Sequence, residues 1–441
     1  MEFIKKLIPE ALVKAVRPFY HGLMAYVASW YFGHPSRKMF VVGVTGTAGK
    51  STTVQMLGRI LNYRGGGKEG AKCGFITTVS FFDGKTEYIN KHGLSMPGGW
   101  LLQKQLNAML KNNCEFAVVE CTSEGLAQNR HLGTAFDMAV FTNLSEAHVE
   151  AHGGLNNYRK AKGRLFESLK AKGLRLGLGS AIVVNGDDEN ASYFLSFAAD
   201  QKFSVGLAPV KTEEETEVIK IESLDSDRQE FKLEGVGFQV KLLGAFNVQN
   251  ASLAAVAASA LGVPFISSSQ ALSSFDKIRG RMEAVENNLG ITIIVDYGCE
   301  PASFKAALES VKNLPHDRVI HVFGSTGGHR DKSKRTVFGE TSAMHADYII
   351  VTNDDVYDSD PEEISSHIVH GINRKSPRPN FEVILDRHEA ISRALKIARA
   401  GDVVLISGKG SEQFLVLPGN KRIDWDDASV VREELIKLSV H

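Results

Sequence analysis

The chain has 441 residues, which is too long for one ordinary domain and suits two or three. Lysine plus arginine equals aspartate plus glutamate at 51 each, so the chain offers no broad basic surface and no nucleic-acid partner is expected. Its four cysteines are scattered and form no C-x-x-C pair, which favours reduced thiols and a cytoplasmic protein.

Residues 1–33 first alternate basic and apolar positions and then become mostly apolar and aromatic. The apolar run is about 15 residues long, whereas a membrane span needs ~20, and no signal-peptide cleavage site follows it. Two interpretations stay open. The segment is either an amphipathic helix lying on a membrane or a partner, or a helix packed on the protein's own body.

From residue 39 onward, short apolar runs alternate with helical patterns, which predicts parallel βαβ units. Residues 216–243 alternate instead and predict a small antiparallel patch, and 273–281 is a plausible linker. The predicted parallel strands end in polar or glycine-rich loops, where ligands of such sheets bind. They lie at 39–45, 116–120, 138–142, 181–185, 291–297, 318–324, 347–352 and 402–407.

A phosphate-binding loop of the pattern T-G-T-x-G-K-S follows the strand 39–45 and precedes a helix predicted at 51–62. Its glycines let backbone N–H groups close around phosphate oxygens, and the helix N-terminus adds a favourable dipole. Lys50 would place a charge at the β- and γ-phosphates, and Ser51 would offer a hydroxyl to Mg²⁺. The nucleotide-binding residues predicted here are Gly46, Thr47, Gly49, Lys50, Ser51 and Thr52.

This loop resembles that of the Mur ligases and the related folylpolyglutamate synthetases. The order and spacing of further segments are most similar to the UDP-N-acetylmuramoyl-tripeptide synthetases, over roughly residues 39 to 438. These segments are FTNLSEAHVEAHGGLNNYRKAKGRLF (141–166), NGDD (185–188), LLGAFNVQNASLAA (242–255), GRMEAV (280–285), VDYGCEP (295–301), VFGSTGGHRDKSKR (322–335) and SGKGSE (407–412).

The resemblance implies an α/β fold with a central P-loop ATPase domain and a Rossmann-like C-terminal domain. The central domain would combine a mostly parallel sheet with the small antiparallel patch. We predict a helical segment at 1–38, the central domain at 39–277 and the C-terminal domain at 278–441.

The reaction that the resemblance implies uses ATP to convert a substrate carboxylate to an acyl phosphate, which the amine of a free amino acid then attacks. The acceptor would be UDP-MurNAc-dipeptide or a related carboxylate, in cytoplasmic peptidoglycan synthesis, and the enzyme would be a monomer. Two alternatives remain. One is a folylpolyglutamate-synthetase-like or other ligase of the superfamily, and the other is a nucleotide-binding module without catalysis.

The resemblance also assigns site residues, although a cap, an ion pair or a solvated charge would explain each of them structurally. The catalytic residues would be Lys50, Glu120, His148 and Lys162, and Mg²⁺ would be held by Ser51, Glu120, His148 and Lys162. Lys162 would need to be carbamylated, because an ammonium group cannot ligate a cation. Further nucleotide contacts would come from Asn247, Asn250, Arg281 and Asp296, and substrate contacts from Ser95, Ser123, Gln128, Arg130, Asp355 and Glu412.

The sequence departs from the family pattern at several points. About 38 residues precede the first strand, so we expect the chain to lack the usual N-terminal domain of the family, which grips the uridine nucleotide. The family's D-N-P-R, whose arginine grips diaminopimelate, reads D-D-V-Y at 354–357, so lysine or another amino acid becomes a comparable candidate. Single replacements stand at Ala147, Cys299 and Ser411.

Overall fold

The structure is a computed structural model. It describes residues 10–63, 73–91, 93, 95–145, 152–169, 176–211, 215–225, 229–328, 330–375, 377 and 379–439. The chain forms two compact units. The first comprises Met1–Val240 and Asn247–Phe275, and the second comprises Lys241–Phe246 and Asp276–His441.

The described residues of the first unit form eleven strands and eight helices, of which the helix at 246–260 begins one residue before the unit resumes. The strands are β1 Phe40–Thr45, β2 Cys73–Ile76, β3 Ser80–Phe82, β4 Glu87–Ile89, β5 Phe116–Glu120, β6 Met138–Phe141, β7 Ala181–Asn185, β8 Gln201–Gly206, β9 Thr216–Asp225, β10 Glu230–Leu233 and β11 Val236–Gln239. The helices are α1 Glu10–Tyr31, α2 Lys50–Asn62, α3 Gly99–Lys111, α4 Ser123–Ala127, α5 Leu155–Glu167, α6 Ala191–Leu195, α7 Phe246–Ala260 and α8 Phe265–Ser273.

One 11-stranded sheet, in the order β11-β10-β9-β8-β7-β6-β1-β5-β2-β3-β4, forms the centre of this unit. Its strands from β9 to β2 run parallel, and hairpins at both edges are antiparallel. The four strands predicted in this half are therefore confirmed. The predicted antiparallel patch is present, but its first strand, β9, also pairs in parallel with β8.

Helix α1 runs unbroken from Glu10 to Tyr31, with Pro18 inside it, whereas the sequence pattern suggested a change of character near that proline. It packs on the rest of the unit, since Ser29 Oγ donates to the Gly133 carbonyl at 2.8 Å. Of the helices that the structure describes, none has the length and the apolar character that a bilayer crossing requires.

The second unit contains a six-stranded sheet in the order β12-β13-β17-β14-β15-β16, which is parallel except between β12 and β13, and a separate hairpin β18-β19. Its strands are β12 Glu283–Val285, β13 Thr292–Asp296, β14 Val319–Phe323, β15 Tyr348–Val351, β16 Asn380–Val383, β17 Val403–Ser407, β18 Phe414–Leu417 and β19 Lys421–Asp424. Its helices are α9 Pro301–Lys312, α10 Ser333–His345, α11 Pro361–Asn373, α12 Arg387–Ile397 and α13 Asp427–Ser439.

Candidate active site

The phosphate loop connects the buried strand β1 to helix α2 and depends on two glycines with positive φ. Gly46 has φ +154° and Gly49 has φ +80°. A Cβ added at Gly46 would lie 1.8 Å from Thr142 Oγ1, and one added at Gly49 would lie 2.2 Å from Asn250 Oδ1. Both positions therefore exclude a side chain, because the backbone conformation and the neighbouring atoms each forbid it.

The loop is held from the neighbouring strand by residues that sequence reasoning did not single out. Asn143, which follows β6, accepts the Ala48 N–H through Oδ1 at 2.9 Å, and its carbonyl accepts the Thr47 N–H at 2.8 Å. Lys50 Nζ donates to the Thr47 carbonyl at 2.7 Å. Asn143 lies in the segment that resembles the family, but its position beside the loop follows only from the pairing of β6 with β1.

Replacing Gly49 with alanine is expected to abolish ATP binding and to destabilise the protein by about 1–3 kcal/mol. The added methyl group would collide with Asn250 and force the loop out of its present conformation. Nucleotide titration and thermal unfolding measure the two effects. Gly98→Ala is the matched control, because Gly98 has φ −61° and a Cβ there meets nothing within 4 Å. Wild-type ATP affinity in Gly49→Ala would contradict this prediction.

Glu120 ends β5 directly beside the phosphate loop, because Val44 and Glu120 are register partners in the parallel pair. Ser51 Oγ donates to its Oε2 at 2.7 Å, and the backbone N–H of Thr78 donates to the same oxygen at 2.8 Å. The carboxylate is 2% exposed, and no lysine, arginine or histidine of the described residues forms an ion pair with it. A buried carboxylate next to a hydroxyl, with no ion-pair partner among the described residues, fits a divalent cation with oxygen ligands.

Lys162 lies on α5 and is almost completely buried, at 1% exposure. Its Nζ donates to the Gly46 carbonyl at 2.7 Å and lies 4.3 Å from the centre of the Tyr158 ring. Burial, together with the nearby charge of Lys50, lowers the pKa of Lys162 well below its ordinary value. The side chain is therefore biased toward the neutral amine, which is the nucleophilic form.

A chain of contacts joins the phosphate loop to the predicted acceptor side of the same unit. Thr47 Oγ1 and the Tyr158 hydroxyl lie 3.1 Å apart, and the Tyr158 ring packs on His152 with centroids 5.2 Å apart. His152 Nε2 lies 3.1 Å from Ser123 Oγ. Burial is the main cause that lowers the pKa of His152, so the ring favours its neutral form.

The predicted acceptor residues Gln128 and Arg130 are brought together. Arg130 donates from Nη2 and Nε to Gln128 Oε1 at 2.7 and 3.1 Å, and from Nη1 to the Met96 carbonyl at 2.9 Å. Ser95 precedes Met96 and is half-buried. The half-buried guanidinium thus has a fixed orientation, which suits it to bind a carboxylate.

The two asparagines predicted to contact the nucleotide lie on α7 and are buried. Asn250 Nδ2 donates to Asn247 Oδ1 at 3.0 Å, and Asn250 Oδ1 lies 3.4 Å from Thr53 Oγ1. Asn250 Oδ1 also occupies the space that a Cβ at position 49 would need, so Asn250 packs directly against the phosphate loop. His148 and Ala147 lie outside the described residues.

In the second unit, Asp296 ends β13 and accepts two backbone N–H groups, from Met282 and Gly298, each at 2.8 Å. Burial raises the pKa of Asp296, and the charge of Arg281 acts in the opposite direction. The guanidinium of Arg281 lies over the Tyr297 ring at 4.1 Å. The structure therefore brings Arg281 and Asp296 to one end of the β13 strand.

A lysine occupies the centre of an acidic cluster at the ends of β15 and β17. Carboxylate oxygens of Asp354, Asp355 and Glu412 lie within 4.8 Å of one another. The fully buried Lys409 places Nζ 2.8 Å from Asp355 Oδ1 and also pairs with Glu412. Sequence reasoning missed Lys409, because nothing in a G-K-G loop indicates that the lysine folds inward.

The cluster has three carboxylates and one ammonium group, and its titration reflects that imbalance. Burial, together with the neighbouring aspartates, raises the pKa of Glu412 to about 7. Burial and the charge of Asp354 raise the pKa of Asp355. Burial alone would lower the pKa of Lys409, but the three carboxylates raise it. The negative charge of the cluster therefore exceeds its positive charge, which favours the binding of a further cationic group.

A glycine-rich loop between a parallel strand and a helix, flanked by a buried carboxylate and a buried lysine, defines a P-loop enzyme that acts on a nucleoside triphosphate. The Mur ligase middle domain family matches residues 44–258, and the Mur ligase glutamate ligase domain family matches residues 280–410. The chain belongs to the Mur ligase family, whose members are ATP-dependent ligases.

Individual relatives agree with this assignment. The chain is 35% identical over 434 residues to UDP-N-acetylmuramyl-tripeptide synthetase of Roseiflexus sp. (strain RS-1), covering 94% of this chain and 82% of that protein. It is 32% identical over 419 residues to UDP-N-acetylmuramoyl-L-alanyl-D-glutamate–2,6-diaminopimelate ligase of Clostridioides difficile (strain 630), with the same coverage. A solved structure of a ligase of that second name matches with 28% identity and a TM-score of 0.60, over 94% of this chain and 82% of the other.

Proposed function

We propose that the protein joins a free amino acid to UDP-MurNAc-dipeptide in peptidoglycan precursor synthesis. The observation that carries this proposal is the placement of Ser51, Glu120 and Lys162 around the phosphate loop. A monomeric enzyme, a cytoplasmic location and a peripheral contact of residues 1–33 with a membrane belong to the same proposal.

The chemistry has two steps. An oxygen of the acceptor carboxylate attacks the γ-phosphorus of ATP, and ADP leaves. The amine of the amino acid then attacks the acyl carbon, phosphate leaves, and a proton is released. Both substrates of the first step are anionic, so positive charge must be held between them.

The residues of the first unit fit a bound Mg²⁺. Ser51 and Glu120 would supply oxygen ligands, and Mg²⁺, when bound, would offset the charge that the carboxylate and the γ-phosphate bring together. His148 and a modified Lys162 complete the proposed ligand set. The neutral amine of Lys162 is suited to add to CO₂, which gives a carbamate with two oxygens and releases a proton.

Arg130 would bind the acceptor carboxylate, with Ser95, Ser123 and Gln128 beside it. The bonds from Arg130 to Gln128 and to the Met96 carbonyl fix the plane of the guanidinium, so its remaining donors point in a defined direction. Asn247, Asn250, Arg281 and Asp296 would contact the nucleotide.

The incoming amino acid would bind at the acidic cluster through Asp355 and Glu412. Three carboxylates with one lysine favour a substrate whose side chain ends in an ammonium group, and D-D-V-Y at 354–357 offers no arginine for a side-chain carboxylate. We expect kcat/KM for L-lysine to exceed that for meso-diaminopimelate by at least about 10-fold, which is about 1.4 kcal/mol of discrimination.

Mass spectrometry of the product, with ATP, UDP-MurNAc-dipeptide and a panel of lysine, ornithine, diaminopimelate and glutamate, tests both the reaction and the amino acid. Ligation of diaminopimelate as efficiently as lysine would contradict the predicted selectivity but leave the ligase assignment standing. Absence of any ligated product, with the nucleotide bound, would contradict the proposed function itself.

The acidic cluster also predicts a pH dependence of lysine affinity. Glu412 has a pKa raised to about 7, so it is mostly protonated at pH 6 and mostly ionised at pH 8. A cationic side chain binds the ionised form better, and therefore KM for lysine is expected to fall severalfold from pH 6 to pH 8. Glu412→Gln should show a high KM that does not change over this range. A wild-type KM that rises with pH would refute the assignment.

A further inference from the structure

Over residues 16–31, whose side chains the structure describes, helix α1 buries small residues and exposes most of its large apolar ones, which is the reverse of an ordinary surface helix. Gly22, Ala25, Ala28 and Ser29 are buried against the first unit. The approach is close, because a Cβ added at Gly99 on α3 would lie 2.5 Å from Ala25 Cα. The fully buried positions of α1 in its contact with the protein's own body are therefore small residues.

The opposite side of α1, with one residue of α3, forms a surface that we call the aromatic face. Trp100 joins it through contacts with Tyr31 and Phe32, whose ring centroids lie 5.2 and 5.5 Å away. Its members are between 42% and 73% exposed, and are Val16, Phe19, Tyr20, Leu23, Tyr26, Val27, Trp30, Tyr31 and Trp100. Half-exposed side chains of this size together present roughly 800 Å² of surface, more than the largest apolar patch of an ordinary monomer.

Basic residues predominate around the aromatic face, where the acidic residues are Glu10 at the start of α1 and Glu124, whose charge acts on His21. Residues 11–38 contain four lysine or arginine residues and no aspartate or glutamate, in a chain that is neutral overall. Arg17, Arg37 and Lys38 are exposed, and α3 adds the exposed Lys104 four residues after Trp100 without contributing an acidic residue. This combination is complementary to a partner that is apolar inside and anionic at its surface.

Two occupants with different chemistry compete for such a face. A second copy of the chain, packed symmetrically, would bring the same basic residues against each other, which opposes association. An anionic bilayer instead places phosphate groups beside the basic residues. It also gives tryptophan and tyrosine the interfacial position that they favour, with the ring in the apolar layer and the polar atom at the headgroups.

We propose that the aromatic face docks α1, lying flat, on the surface of an anionic phospholipid bilayer. The helix does not cross the bilayer, in agreement with its polar and basic positions. The proposal specifies the surface and the lipid charge for the membrane contact of residues 1–33 proposed above; it rests on no step of the ligase reaction but has a consequence for it. Asn129 Nδ2 donates to the Pro18 carbonyl at 3.3 Å, so α1 rests on the segment that leads into Arg130, and docking would bring that arginine close to the membrane surface.

Flotation of the full-length protein with vesicles tests this proposal. We expect the wild type to float with phosphatidylglycerol–phosphatidylcholine vesicles and at least 10-fold less with phosphatidylcholine alone. The double variant Phe19→Ser/Trp30→Ser should lose at least 10-fold in binding and still fold, because both side chains are 73% exposed. The matched control Leu207→Ser/Ile266→Ser removes exposed apolar side chains elsewhere, at 48% and 55%, and should float like the wild type.

Tryptophan emission gives a second readout, because Trp30 and Trp100 are two of the three tryptophans in the chain. Anionic vesicles should shift the emission of the wild type to shorter wavelength and leave that of Phe19→Ser/Trp30→Ser nearly unchanged. Wild-type protein that stays in solution, or a double variant that floats equally well, overturns the proposal. A lipid-free dimer that the double variant turns into a monomer overturns it in favour of a second copy.

Discussion

Replacing Lys162 with methionine is expected to reduce ATP-dependent ligation by at least about 10³-fold while leaving the protein about as stable as the wild type. The methionine fills nearly the same volume and removes an amine that is costly to bury, so the free energy of unfolding should change by less than about 1.5 kcal/mol. ADP release and urea unfolding measure the two quantities. Lys160→Met, an exposed position on the same helix, is the matched control and should retain activity.

The role of Lys162 as a carbamate can be separated from a role as a simple cation. If the carbamate oxygens are needed, acetate or formate should restore part of the activity of Lys162→Ala but not of Lys50→Ala. A small carboxylate can take the place of the anionic carbamate oxygens, but it cannot replace the positive charge of the Lys50 ammonium group. Removal of CO₂ should also lower wild-type activity. Activity in Lys162→Met above about a tenth of the wild-type value would contradict an essential function for this side chain.

Replacing Glu120 with glutamine is expected to cost a comparable factor in rate, but for a different reason and with a loss of stability. The amide keeps the size of the carboxylate and loses its charge, so the affinity for Mg²⁺ should fall. Ser51 Oγ and the Thr78 N–H both donate to Oε2 of Glu120, and the glutamine amide can place N–H donors against them. Two donors facing each other should lower the free energy of unfolding by about 1–3 kcal/mol.

The measurement for Glu120→Gln is the rate of ADP formation as a function of Mg²⁺ concentration. We expect the half-saturating concentration to rise at least 10-fold and the maximal rate to fall by about 10²–10³-fold. Glu115→Gln, at an exposed acid just before the same strand, should leave the Mg²⁺ dependence unchanged. An unchanged dependence in Glu120→Gln would remove this residue from the proposed ligand set.

The parallel part of the fold is predictable from the sequence because each buried strand is a continuous apolar run that ends in a polar loop. The same rule places Glu120 beside the phosphate loop, since both follow strands whose carboxyl ends meet at one edge. The region from Cys73 to Ile89 escaped prediction, because its three strands are only three or four residues long and carry little periodicity. Thr78, which donates to Glu120, was missed with it.

Other parts of the site depend on contacts between distant segments and leave no local signal. Lys409 and Asp355 are 54 positions apart in the chain, and they meet only because the loops after β15 and β17, which lie on either side of β14, leave the sheet at the same edge. For α1, the sequence left a membrane and the protein's own body as alternative partners. The structure shows why the choice was ambiguous, because the small residues serve one contact and leave the aromatic residues exposed.

Transfer of the γ-phosphoryl group to the acceptor carboxylate is tested most directly by oxygen isotopes. The acceptor is prepared with ¹⁸O in both oxygens of the reacting carboxylate, and the phosphate released during ligation is analysed by mass spectrometry. If an acyl phosphate forms at Ser51, Glu120 and Lys162, one phosphate is released for each amide made, and that phosphate carries one ¹⁸O atom from the acceptor carboxylate. Phosphate without ¹⁸O, released while the amide accumulates, would contradict that chemistry.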